Sequence, residues 1–119
     1  MMRTLLMTGL WMLAAVPAMA QTMPGMQMGA PAANEAPSTK AYRDAMAKMD
    51  QAMNVPYTGN ADRDFVAGMI PHHQGAIDMA HVELQYGKDP ALRKLARGII
   101  AAQRKEIVFM QQWQAKHPR

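Results

Sequence analysis

Two adjacent histidines, His72 and His73, follow Met69 by three and four residues and precede Met79 by seven and six. Positions three or four apart share a helix face, so this spacing sets imidazole nitrogen beside thioether sulfur. Soft donors of that kind select a monovalent ion, Cu(I) or its mimic Ag(I), over Zn(II). The two histidines flank the azimuth of Met69 about 100° apart on a helix. Neither then points away from the face that Met69 marks, and burying both without partners would be costly. Two bland readings stay open beside this one. A methionine stripe at helical spacing also serves as adaptable core, and a histidine pair can be a hydrogen-bonded structural feature.

The chain has fourteen methionines and no cysteine. Any soft-ion site must therefore be built from Met and His, with no thiolate. Met46, Met49 and Met53 repeat at offsets of three and four and form a second candidate donor stripe. Met23, Met26 and Met28 form a third, closely spaced group in a segment without charge, able to wrap an ion without a preformed fold. Such a segment is expected to bind weakly and pass metal on, and a folded site to hold it more tightly.

Enzymatic readings find few residues. Di-iron bundles place Glu-x-x-His pairs on facing helices, yet neither Glu83 nor Glu106 has a histidine three residues later. Asp78 with His81 is the nearest pattern, and both project away from the inner faces described below. Ser38 is the only serine, and without cysteine no nucleophile is in evidence. The expectation is a non-catalytic protein. His117, near the end of the chain, is expected to be frayed and solvated.

The elements that must position these groups follow from pattern. Residues 1–20 combine Arg3, an apolar run from Leu5 to Val16 and the small-residue site Ala18-Met19-Ala20, as in a cleaved export signal. The apolar run is shorter than the roughly 20 residues that span a bilayer. The expectation is therefore a periplasmic protein without a membrane anchor. Residues 21–37, rich in Met, Pro and Gly, lack apolar periodicity and are expected to be a flexible tail. Removal of Arg3 takes the formal charge from +4 to +3. The basic residues Arg93, Lys94, Arg97, Arg104 and Lys105 form one solvated helix side without aromatic residues among them, so nucleic acid is not an expected partner.

Residues 38–117 are expected to form the metal-binding domain. Ser38 is placed as the N-cap of a first helix reaching about Asn54, with Tyr42, Met46, Met49 and Met53 inward. A second helix from Asn60 or Asp62 to Gly87 has Phe65, His72, His73, Ala76, Met79, Ala80 and Glu83 on one arc. Pro71 lacks an N–H for the carbonyl of Ala67, so a bend or break is expected there. Asp89-Pro90 opens a third helix, which runs to about Lys116. Its inner stripe holds Leu92, Leu95, Ile99, Ala102, Gln103, Glu106, Met110 and Trp113. Gln103 and Glu106 need partners if buried and are expected to face the histidine region. No strand-like alternation stands out, so the fold class is all-α.

The string from Asp64 to Ala80, containing Met-Ile-Pro-His-His-Gln-Gly-Ala, together with Asp89-Pro-Ala-Leu-Arg93 and Ala102-Ala-Gln-Arg-Lys-Glu-Ile107, resembles the secreted bacterial domain-of-unknown-function family 305. The resemblance covers roughly residues 40–114. It implies a ferritin-like antiparallel bundle of three main helices. Some members of that family are periplasmic copper-binding proteins that protect against excess copper and also take silver through Met and His. Carried over, this implies Met69, His72, His73 and Met79 as the central site, with Met46, Met49 and Met53 as neighbouring ligands. Gln103 and Glu106 become outer partners through the family's Gln-x-x-Glu-Ile pattern, and Glu83, on the same arc as the histidines, is a further outer candidate. The implied role is copper buffering, delivery or tolerance, with a periplasmic copper transporter or acceptor protein as partner. Three helices either close alone or pair with a second copy as a homodimer. The competing expectation is a non-catalytic interaction module whose Met-rich face packs on a partner or on a second copy.

Overall fold

In a computed structural model the described residues are 34–118. They form three helices and no strand: α1 (Pro37–Met53), α2 (Ala61–Tyr86) and α3 (Pro90–Lys116). The expected export signal, nearly all of the expected tail, and Met23, Met26 and Met28 lie outside the described residues. The end of that tail is ordered: Glu35 pairs with Arg43 at 2.8 Å and Pro37 opens α1.

Each helix start has its own local cause. Ala36, not Ser38, occupies the cap position of α1, and no side chain caps it. Proline at the first turn, with φ already near the helical value, moves the start ahead of the serine. Asn60 caps α2 by accepting the Arg63 N–H at 3.1 Å. Asp64 fixes the preceding loop, accepting the Thr58 N–H and hydroxyl at 2.8 Å each and the Gly59 N–H at 3.2 Å. Gly59 has φ +84°, the left-handed turn conformation that suits glycine. Asp89 caps α3 through the Leu92 N–H at 2.9 Å. Arg93 reaches back to donate to the carbonyls of Leu84 (2.6 Å) and Gly87 (3.0 Å), which satisfies acceptors at the end of α2.

α2 is continuous through Pro71, so the proline does not interrupt the helix as a break would. It is also the central element. α1 and α3 both pack against α2, with no close backbone approach to each other. One face of α2 presents Val66, Ile77 and Ala80 to Ala96, Ile100, Ile107 and Met110 of α3. On the far side, Gly75 meets Met49 of α1 so closely that the methionine sulfur occupies the space a Cβ would take. The result is an open three-helix bundle, one helix thick, with no large side chain fully enclosed among the described residues.

The sequence-derived inner stripes are therefore only partly the core. Tyr42, Met49, Ile99 and Trp113 are half-buried and Met110 is buried. By contrast Met46, Met53, Phe65, Met79, Leu92 and Leu95 are exposed. α2 buries two opposed faces, and the stripe chosen from periodicity runs between them.

Candidate metal centre

The adjacent histidines part company in the fold. His73 turns toward α3 and is 7% exposed, whereas His72 stands exposed on the open side of the bundle. Their ring centroids are 6.0 Å apart, with planes inclined at 60°. His73 Nε2 lies 2.5 Å from Glu106 Oε2. The buried Nδ1 has no hydrogen-bond partner. If Nε2 carries the proton and donates it to the carboxylate, Nδ1 is left with a free lone pair. A histidine whose far nitrogen is tied to a carboxylate is the arrangement commonly found behind a metal ligand, because the carboxylate fixes the tautomer and raises ring basicity.

Met69 sits one turn before His73, half-buried at the margin of the α2–α3 core. Helical side chains lean toward the preceding turn, so Met69 is the thioether placed nearest the histidine pair on the same helix. Met79 is two turns beyond His72, about 10 Å along the axis at 1.5 Å per residue. It lines an open groove of about 300 Å³ with Tyr42, Glu83, Leu95 and Ile99. Met49 is placed against Gly75. Met46 and Met53 are 40% and 39% exposed on α1. The structure thus joins His73 to Glu106 with Met69 one helical turn earlier, and leaves His72 on the open face with Met79, Met46 and Met53.

Glu106 answers the expectation that it faces the histidine region. Gln103, one turn earlier, is half-buried with Oε1 unpartnered. Two orphaned polar atoms, His73 Nδ1 and Gln103 Oε1, therefore lie in the α2–α3 seam, where each unmet group is costly. Among the described residues no three His, Asp or Glu side chains gather as a site for a harder ion. An ion held here would draw on thioether and imidazole.

Asp78 belongs to the opposite side of the bundle. It accepts from Lys48 and Gln74 at 2.9 Å each. Burial works to raise its pKa, but those hydrogen bonds and the charges of Lys48 and His81 outweigh it and hold the carboxyl below 3.8. His117 is exposed just past the end of α3, as expected of a solvated residue, yet it makes contacts of its own. Its ring stacks on Trp113 at 4.2 Å, and Nδ1 lies 2.8 Å from the Trp113 carbonyl oxygen. Sequence spacing contained the signal, since the two are four residues apart.

Residues 34–118 hold no helix long and apolar enough to cross a membrane. In sequence, 46 residues are 44% identical to the uncharacterized protein L153 of Acanthamoeba polyphaga mimivirus, covering 39% of this chain. The match spans 30% of that relative's length, less than a third of it. The profile of one family matches residues 1–114, the histidine pair and the Gln103–Glu106 pattern included. The chain belongs to the family described as Domain of unknown function (DUF305).

Proposed function

We propose that this is a periplasmic copper-binding protein that takes Cu(I), with Ag(I) as a mimic, through methionine and histidine and serves copper buffering, delivery or tolerance. The observation that carries the proposal is His73: a buried imidazole with one nitrogen tied to Glu106 and the other unpartnered. Met69 on the preceding turn and the neighbouring ring of His72 offer the soft and borderline donors that complete a monovalent site. Copper in this reading is cargo.

The test is an anaerobic Cu(I) titration of the protein against a chromophoric chelator, alongside His72→Ala, His73→Ala and the double variant. Loss of the tight site in the double variant, with helicity retained by circular dichroism, is the expected result. Wild-type affinity in a folded double variant would refute the assignment. Acidification should weaken the wild-type site, because protons compete for imidazole.

A further inference from the structure

Each helix carries a second, largely apolar stripe that its own chain leaves exposed or only half-covered. In α2 it is Phe65, Met69, His72, Ala76, Met79, Glu83 and Tyr86, at alternating offsets of four and three. In α3 it is Leu92, Leu95, Ile99, Ala102, Glu106, Phe109 and Trp113, again alternating three and four. Tyr42, Met46, Met49 and Met53 continue the pattern on α1. This is the heptad spacing of helices that pack lengthwise on other helices. Projected at 100° per residue, with α2 antiparallel to both neighbours, the three stripes fall on the same side of the bundle. Eleven large apolar side chains among the described residues are exposed by more than a third, and eight of them lie on these stripes; the exceptions are Val55, Tyr57 and Val108. Phe109 and Phe65 are 68% and 60% exposed. Lys94, Arg97, Arg104 and Lys105 project from other sides of α3. Stable domains cover such a face with a second layer.

We propose that the second layer is another copy of this chain, packed with α2 antiparallel to α2 about a two-fold axis. The α2 stripe is self-complementary in one register. Turned about the point midway between Ala76 and Met79, it sets His72 against the partner's Glu83 and Ala76 against the partner's Met79. Met69 then meets the partner's Tyr86. A base thus faces an acid, and a small side chain a large one, in both directions at once, as an isologous interface requires. Glu106, the other carboxylate on the face, is already matched within its own chain by His73. The pairing gives exposed His72 a carboxylate that its own chain does not supply, so the histidine site is built from both copies. None of this rests on copper.

Sedimentation equilibrium in chelator-treated buffer tests it. The wild-type chain should dimerise. Leu95→Lys and Phe109→Lys should each weaken association by roughly thirtyfold, as for a central interface side chain, with helicity unchanged. His72→Glu, which opposes two acids, should weaken the dimer, and adding Glu83→His should restore it. A wild-type monomer at every accessible concentration would overturn the proposal. So would a dimer indifferent to both lysine substitutions, or a charge swap that fails to rescue. A chain that dimerises only after deletion of residues 21–33 would overturn it in favour of the amino-terminal segment as the natural cover.

Discussion

His73 and Glu106 join α2 to α3 through an Nε2–Oε2 contact of 2.5 Å in which the ring is enclosed and the carboxylate is 60% exposed. The asymmetry separates the roles of the two residues. The histidine is fixed by packing, and the glutamate reaches in from solvent to orient it. Glu106→Ala should therefore lower Cu(I) affinity by about tenfold, the lower end of what loss of an outer partner costs a ligating histidine. Stability should fall by about 1–3 kcal/mol, because the enclosed His73 ring loses its remaining partner. Chelator competition and urea unfolding read the two effects separately, and an unchanged affinity would contradict the orienting role.

The thioethers should not be equivalent. Met69→Leu removes the sulfur one turn from His73, whereas Met79→Leu removes one two turns beyond His72. Both swaps nearly conserve volume and should cost under about 1.5 kcal/mol. Cu(I) affinity should fall more in Met69→Leu than in Met79→Leu, as measured by the same competition titration. The reverse order would place the ion on the open face instead of beside His73.

Glycine substitutions should divide by position. Gly75→Ala drives a methyl group into Met49, including atoms close to that residue's backbone. The α1–α2 contact must open, at a cost of about 1–3 kcal/mol that exceeds the gain in helix propensity. Gly68→Ala meets nothing within 4 Å and should stabilise by about 0.5–1 kcal/mol. Thermal melts of the two variants should move in opposite directions.

Acid should loosen the entry to α2. The backbone N–H and hydroxyl of Thr58 and the N–H of Gly59 outweigh slight desolvation and hold the Asp64 carboxyl below its ordinary 3.8. Asp78 is lowered as well. A carboxyl with a depressed folded pKa contributes stability that is present above the unfolded value and disappears as pH falls through the folded one. The melting temperature should therefore hold steady above 3.8 and decline below it. Asp64→Asn should flatten part of that decline, and an acid limb identical to wild type would refute the assignment.

Helix content was written locally. Asn60, Asp89 and Pro90 mark starts that hold in the structure, because a cap needs only its own side chain and the next turn. Even the one shifted start, at Pro37 instead of Ser38, is a local contest that proline's fixed φ decides. The nearness of Met69, His72 and His73 along α2 was also legible, since i, i+3 and i+4 proximity belongs to any helix. Glu106 was legible as a polar residue in need of a partner, though not as the partner of His73 in particular.

Tertiary structure alone decided which stripe is covered. Periodicity marks a face as apolar without naming its neighbour, and α2 has more apolar azimuths than two partners can bury. Packing assigned Val66, Ile77 and Ala80 to α3 and Gly75 to α1, and left Phe65, His72 and Met79 on the open side. The separation of His72 from His73 has the same cause. A turn of 100° between neighbours is small in sequence, yet at the rim of a helix–helix contact it divides a buried ring from a solvated one.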